Sequence, residues 1–590
     1  MKTKTIVTGI ICAALCLSML AGCGSKTNTQ SSSTAQESKQ SATSEKTSDK
    51  EETSTDETSS KTSAPGDYTL TVKDPAKNAE ITATFSNTTS GASENVKMEK
   101  TGENSDSYIF TCVGDTDKYN VVHFSYGDMI TKDAAFNKCV SGWQLFDGEL
   151  LPYDVNSSKD FELKYETKTF NVSGLEKNVY IWLPDDYDAN SEEKYSTIYM
   201  LDGQTVLTTE LGGSVRSWNV AQHTASMMSA TTNKAILVCI EAGEMRFDDY
   251  SPALPGDAKC QSSSNPCGGL FANFVCTTIM PYIQKTYNVY TDAAHTSIAG
   301  SSMGGLESLY IGLEHPDVFG TAGVFSPSMW AYTQDEWKNY FNGKKYGDNC
   351  CFLYFYSGSF AQDTGYWAEP GYNALIEAGY PKDKLVFSKN ETGDHKEEYW
   401  SNIYPEFLEA MFCGKVSALE SGAPISFTDR TPPQNAEMIA EAEASSNEPD
   451  TRPDYIKNYV FFDNSEMKWE NVWAYWFGPT GDSPINKVTG EDEYGNPEWP
   501  GLQMEKVEGT DLYRIVAPVG VSAIIFSNGI LDEDVKKGVT AYQTIDLLYS
   551  DRACSGKIYT IDTSVKPYQG TGVEKTKFGY PSGKWVPYEG

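Results

Sequence analysis

The sequence predicts a multidomain chain: a central α/β domain, with a mostly parallel sheet covered by helices, flanked by N-terminal and C-terminal β-sandwich domains. Three observations lead there. The 590 residues exceed one ordinary domain, for which ~150 residues is the usual scale. Residues 166–413 alternate short apolar runs with helical periodicity, whereas 67–165 and 455–563 alternate residue by residue between turn signals. An apolar fraction of 39% with 12% aromatics suffices for real cores, which excludes global disorder.

Taken in order, residues 1–22 read as an export signal. Lys2 and Lys4 precede an apolar run from Ile6 to Met19, and Leu20-Ala21-Gly22 then leads to Cys23. The run is shorter than the ~20 apolar residues a bilayer span requires, and the basic start with small residues at the end marks a cleaved leader. The last four residues resemble the bacterial lipobox, which implies lipidation of Cys23. Residues 23–66 follow as a tether: from Gly24 to Gly66 there is no aromatic, Leu, Ile, Val or Met. Such a stretch has no apolar surface to bury against its conformational entropy. The expected location is therefore the bacterial cell surface, with membrane contact through the lipid anchor only.

Residues 67–165 contain Tyr68-Thr69-Leu70-Thr71-Val72 and Ile81-Thr82-Ala83-Thr84-Phe85, alternating patterns expected of a small sandwich. In 166–413, Thr197–Leu201, Ala235–Ile240, Thr296–Ala299, Gly323–Phe325 and Phe352–Phe355 read as strands. Helical segments such as Phe271–Gln284 and Gly305–Leu313 separate them, as a parallel sheet demands. Residues 414–454 are Pro-, Ala- and Glu-rich and read as a linker with a short helix near Ala436–Ala444. Residues 455–563 return to a β pattern rich in aromatics, and 564–590 read as an irregular tail.

Charge narrows the partners. The chain carries 47 Lys and Arg against 81 Asp and Glu, a net charge of −34. A surface this negative repels the phosphate backbone, which excludes nucleic acid as a partner. Neutral or sparsely charged partners remain. The thirteen cysteines show no paired C-x-x-C spacing, so no metal site is expected. Cys260 and Cys267 are the first candidate disulfide pair for an exported chain, and Cys112 with Cys139 the second.

The chemistry concentrates at Gly300-Ser301-Ser302-Met303-Gly304, a G-x-S-x-G placed between a strand and a helix. A nucleophile on such an elbow needs small neighbours because its backbone is strained and other elements pass close by. Ser302, between the spaced glycines, is the candidate nucleophile. A serine hydroxyl needs a base, and the five histidines allow elimination. His123 lies in the N-terminal sandwich, His223 and His295 precede the nucleophile, and His315 follows it too closely to leave room for another strand and an acid. His395 remains, past the last sheet strand. The acid should lie on the loop after Phe352–Tyr356, where Asp363 is the first choice and Glu369 the second; Asp394 is adjacent to His395 and should point elsewhere. Oxyanion donors are expected from the Met303 N–H and, after Thr197–Leu201, the Gln204 N–H. Trp218, Arg246, Tyr250 and Trp330 are candidate substrate-side residues, with ordinary packing as the alternative for each. No cofactor is implied.

Taken together, Met200-Leu201-Asp202-Gly203-Gln204, Gly300–Gly305, Ser326-Pro327-Ser328-Met329-Trp330 and Gly393-Asp394-His395 resemble the esterase branch of the α/β-hydrolases that includes carbohydrate esterase family 1, feruloyl esterases and enterochelin esterases. The resemblance implies a serine esterase and supports Asp363 as the acid. Mycolyltransferases share this architecture, so acyl transfer stays open beside hydrolysis.

In the C-terminal region, Trp473 and Tyr475 are two apart and share a strand face. With Trp499 and Gln543 they resemble the platform of family 26 carbohydrate-binding modules, which implies binding of starch-type α-glucan. The expected partner is thus a polysaccharide or acylated oligosaccharide. The expected function is hydrolysis of acetyl or feruloyl-type esters on carbohydrate. Its alternatives are an α-glucan-binding surface lipoprotein with a vestigial hydrolase domain, or an acyltransferase.

Overall fold

Six consecutive buried residues, Ala235–Ile240, run through the centre of the largest sheet. Such a run is what a strand covered on both faces requires. Its side chains divide with period two: Ile236, Val238 and Ile240 enter one apolar cluster, and Ala235, Leu237 and Cys239 the other. The computed structural model describes residues 66–428 and 459–588, except 147, 158, 160, 173–174, 212–213, 215, 244, 264, 360–362, 478–498, 517–522, 546, 549–553, 570–575 and 581. Cys23, the tether and the expected helix near 436–444 lie outside the described residues. Among the described residues, no helix is long and apolar enough to cross a membrane.

The central strands are β1 (Tyr165–Val172), β2 (Leu175–Trp182), β3 (Ser196–Leu201), β4 (Ala235–Ile240), β5 (Thr296–Ser301), β6 (Thr321–Phe325), β7 (Phe352–Gly358) and β8 (Leu385–Asn390). They lie in the order β1-β2-β4-β3-β5-β6-β7-β8. The β1–β2 hairpin and its junction with β4 are antiparallel, and every pairing from β4 to β8 is parallel. Helices α1 (Val220–Ala230) and α4 (Glu397–Cys413) supply Val220, Met227, Trp400 and Phe407 to one cluster. Helices α2 (Met303–Glu314) and α3 (Gly365–Glu377) supply Leu306, Leu309, Tyr372 and Leu375 to the other. This is an α/β-hydrolase arrangement. Because β5 to β8 are successive parallel neighbours, the loops leaving their C-terminal ends emerge side by side, where open α/β sheets place their ligands.

Ahead of it, residues 67–152 form two sheets whose inward residues, including Leu70, Phe85, Phe110, Phe124 and Trp143, share one cluster. This unit packs on α1: Ser141 Oγ lies 2.6 Å from Ser226 Oγ, and the Trp143 ring meets His223 edge-on at 5.5 Å. Residues 459–588 form two further sheets that share a cluster of Val460, Phe462, Ala474, Trp476, Ile524 and Phe526.

Three expectations need correction. The tail is not irregular: Lys577–Tyr580 pairs with Ala541–Thr544, and Gly583–Pro587 with Lys557–Ile561. Its Lys and Gly content masks short strands that gain their stability from pairing rather than from propensity. The first part of the expected linker also packs on the α/β domain, burying Val416, Leu419 and Phe427. The cysteine pairings are not formed: Cys112, Cys139, Cys260 and Cys267 are in no disulfide. Cys260 Sγ contacts Ser262 Oγ at 3.1 Å, Cys267 Sγ donates to the Asn265 carbonyl at 3.2 Å, and Cys139 lies against Cys413 at the end of α4.

Candidate active site

Ser302 stands between β5 and α2 with φ 58° and ψ −122°. A side chain in that region is strained by roughly 1–3 kcal/mol and persists only where its surroundings fix it. Two contacts do so: the Ser302 N–H donates to the Phe325 carbonyl at 3.0 Å, and its carbonyl accepts from the Ser328 N–H at 3.0 Å. The elbow's glycines are required by crowding. A Cβ on Gly300 would stand 2.8 Å from the Gly304 carbonyl carbon, and one on Gly304 would stand 3.0 Å from Asp202 Oδ2.

Asp363 and His395 meet across the loops after β7 and β8, with Asp363 Oδ1 3.1 Å from His395 Nδ1. The Asp363 side chain is fully buried. Burial of a carboxylate demands hydrogen bonds, and four donors meet it. The Gly358 N–H (2.6 Å) and Ser326 Oγ (3.0 Å) donate to Oδ2, and the Thr364 N–H (2.7 Å) and Oγ1 (3.4 Å) to Oδ1. The imidazole is held by the Trp400 ring, edge-on at 4.9 Å. The Trp400 indole N–H donates in turn to Ser326 Oγ at 2.9 Å. Glu369 is turned away and accepts from the Phe427 N–H at 2.9 Å. Asp394 accepts from the His395 N–H and pairs with Lys396 at 2.6 Å.

The loop after β6 links Ser302 to Asp363. Ser328 Oγ lies 3.3 Å from Ser302 Oγ, while Ser326 (φ 40°) reaches Asp363. Sequence reasoning assigned no role to Ser326, Ser328 or Thr364. The first two sit in the Ser326–Trp330 motif directly after a strand, the one signal that marks them.

Met303 opens α2, and Gln204 lies in the first turn of the short helix Gly203–Val206. First-turn amides have no intrahelical partner, so both N–H groups are suited to receive a developing oxyanion. The second helix begins at Asp202, held in the left-handed region at φ 57°. Arg246 fixes Asp202 with a two-point ion pair, Nε to Oδ1 at 2.6 Å and Nη2 to Oδ2 at 2.8 Å. The Asp202 N–H donates to Tyr250 Oη at 3.2 Å, and burial pushes the Tyr250 hydroxyl well above its ordinary value, with the Asp202 charge adding to it. Gln204 Oε1 accepts from the Ala242 N–H at 3.1 Å.

The substrate-side expectations are redistributed. Trp218 is fully buried against Phe325 and Trp400, so it packs the layer beneath His395 instead of facing substrate. Tyr250, also fully buried, and Arg246 hold Asp202 in the loop after β3. Trp330 lies buried in the turn Met329–Ala331, beyond Ser328. The other histidines are occupied: His123 with Asp133 at 2.9 Å, His295 with Asp292 at 2.7 Å, and His223 with Ser401 Oγ at 3.1 Å. Burial lowers His223 to about 3. His315 terminates α2. Among the described residues, no group of three or more His, Cys, Asp or Glu is arranged to hold a metal.

A protein-family model described as "Putative esterase" matches residues 171–345. That stretch holds the loop after β3, the Ser302 elbow and the loop after β6. Over that stretch the chain is similar to this family. The YbbA protein of Bacillus subtilis is 22% identical over 241 residues, covering 39% of this chain and 91% of its own length. Among solved structures, the enterobactin esterase FES of Shigella flexneri is 16% identical with a TM-score of 0.35, covering 59% of this chain and 93% of that one. The ferulic acid esterase AmCE1/Fae1A of Anaeromyces mucronatus is 18% identical with a TM-score of 0.32, covering 45% and 95%. Asp363 and His395 fall after the family match, so their pairing is known from geometry alone.

The C-terminal aromatics gather on one sheet. Trp473 pairs in register with Ser527, and Ser527 with Gln543, so the three share a row. Tyr475 lies beside Ile525, and its ring meets Trp499 at 5.5 Å and 65°. Trp473, Tyr475 and Trp499 are half-buried, on the face opposite Ala474 and Trp476. Gln543 Oε1 is buried with no hydrogen-bond partner among the described residues.

Proposed function

We propose that the chain is a serine esterase that hydrolyses acetyl or feruloyl-type esters on carbohydrate. The observation that carries this reading is the buried Asp363–His395 pair on loops neighbouring a strained Ser302 elbow. Ser302 Oγ attacks the ester carbonyl as His395 accepts its proton, and Asp363 holds the imidazole tautomer and stabilises the imidazolium. The Met303 and Gln204 N–H groups receive the oxyanion. Collapse of the tetrahedral adduct expels the sugar alkoxide, protonated by His395, and leaves the acyl group on Ser302. Water, deprotonated by His395, attacks the acyl-enzyme and releases the carboxylic acid.

The remaining assignments belong to the same proposal. Lipidation of Cys23 anchors the chain at the bacterial cell surface. Trp473, Tyr475 and Trp499 offer flat apolar rings to pyranose faces, and Gln543 a carbonyl to a hydroxyl, which suits a starch-type α-glucan. The test is turnover of p-nitrophenyl acetate and of acetylated and feruloylated oligosaccharides by the full chain and by Ser302→Ala. Release of free acid by the wild type alone supports the reading; undiminished turnover by Ser302→Ala refutes it.

A further inference from the structure

A cavity of about 350 Å³ lies where the N-terminal two-sheet unit meets the α/β domain. Its volume falls within the ~300–1,000 Å³ of small-molecule sites. It is walled by Lys132, residues 149–151, Phe161 and Leu163 ahead of the α/β sheet, by the loop after β3 from Leu207 to Thr209, by the segment from Arg216 to Gln222 that leads into α1, and by the start of α4 from Glu398 to Asn402. The loop after β3 and the start of α4 also adjoin, in sequence, the loops that carry Gln204 and His395. Leu207 follows Gln204 by one turn of chain, and Glu398 follows His395 by three residues.

The lining is charged, yet its charges are mutually satisfied. Glu398 of α4 pairs with both Lys132 and Arg216, and Arg216 also pairs with Glu149 at 2.7 Å. Two cations and two carboxylates alternate, so the cavity carries no excess charge with which to attract an ionic ligand. Carboxylates that accept and guanidinium or ammonium groups that donate are matched by hydroxyls, which do both. Between them stand Gln222 and Asn402, amides with the same dual capacity, and the apolar Leu151 and Leu207. Hydrogen-bonding edges around apolar patches fit a pyranose ring, which has hydroxyls at its rim and C–H groups on its faces.

We propose that this interdomain cavity binds a neutral oligosaccharide segment, the glycan portion of the ester substrate, so that the N-terminal unit completes the substrate site. The proposal rests on the esterase reading for the identity of that ligand. It explains why Lys132 of the N-terminal unit is ion-paired to Glu398 at the start of α4, three residues after His395, and it assigns substrate recognition to Gln222 and Thr209 at the cavity wall.

The experiment uses the full chain carrying Trp473→Ala, Tyr475→Ala and Trp499→Ala, so that the C-terminal face contributes no binding. Xylotriose and maltotriose are titrated into it calorimetrically, with and without Gln222→Trp or Thr209→Trp, each of which fills the cavity. Saturable binding of either trisaccharide, weakened about tenfold or more by both fillings, is expected. The fillings should raise KM for acylated oligosaccharide by a similar factor while p-nitrophenyl acetate, which has no glycan to place, is turned over within about twofold of the parent. Absence of trisaccharide binding, or binding indifferent to both fillings, overturns the proposal. A chain that binds trisaccharide at the cavity but cleaves no ester retains this site and loses the esterase reading, which separates the two failures.

Discussion

The loops that carry Ser302, Asp363 and His395 and the C-terminal aromatic face are built by opposite means. Ser302, Asp363 and His395 come from three loops distant in sequence, are almost fully buried, and are fixed by backbone strain and a ring of hydrogen bonds. Trp473 and Tyr475 come from a single strand, and the β-register puts their half-exposed rings on one face. A preorganised site should respond steeply to the loss of any one group, and a surface platform only gradually. The two regions should also fail independently.

The largest expected effect follows from removing the nucleophile. Ser302→Ala should lower kcat on p-nitrophenyl acetate by roughly 10⁵-fold or more, and Ser302→Gly should do the same while raising the melting temperature. Glycine relieves the strain at φ 58°, worth about 1 kcal/mol or more. Equal melting temperatures for the alanine and glycine variants would show that the elbow stores no strain. Asp363→Asn should reduce kcat by about 10⁴-fold, because an amide cannot stabilise the imidazolium. Glu369→Gln, which keeps the acceptor for the Phe427 N–H, should remain within about twofold. A reversal of that order would transfer the acid role to Glu369.

Arg246→Ala tests the support of the oxyanion loop. Loss of the two-point pair with Asp202 should cut kcat roughly 10- to 100-fold with little change in KM, since the lost stabilisation belongs to the transition state. A matching rise in KM would place Arg246 in ground-state substrate contact. On the other side of the comparison, Trp473→Ala or Trp499→Ala should weaken binding to soluble α-glucan by about tenfold, measured by affinity electrophoresis, and leave p-nitrophenyl acetate turnover unchanged. Coupled losses of both activities would contradict the separation of the two regions.

The smallest effect concerns pH. His223 is buried neutral, lowered to about 3, so the unfolded chain binds a proton there that the folded chain does not. Its contribution to stability is therefore complete above the unfolded value near 6.5 and declines as pH falls from there toward 3. Burial raises Glu406 to about 8, which acts in the opposite sense, with stability lost as pH rises toward 8. Comparison with His223→Phe cancels the Glu406 term. The melting temperature of the variant relative to wild type should rise by a few degrees between pH 7 and pH 5; a constant difference would refute the assignment.

Much of this was legible in the chain because the strongest signals are local. The buried run Ala235–Ile240 and the glycine-flanked Ser302 carry their structural meaning within a few residues. His395 emerged by elimination, since histidine is scarce. Long-range geometry was less accessible. Trp218 and Tyr250 read equally as substrate rings or as core, and only the sheet's layering places them beneath the site. The short strands Lys577–Tyr580 and Gly583–Pro587 depend on partners elsewhere in the sequence, so their own composition read as a tail. The Arg246–Asp202 pair joins residues 44 apart in the chain with no motif between them.

The central claim is that His395 and Asp363 activate Ser302, and the most direct measurement is covalent labelling of the full chain with a fluorophosphonate, followed by peptide mass analysis. One adduct on Ser302 is expected, absent from Ser302→Ala and formed orders of magnitude more slowly in His395→Ala. An unlabelled wild-type chain, an adduct on another serine, or labelling of Ser302 at the same rate without His395 would contradict the account.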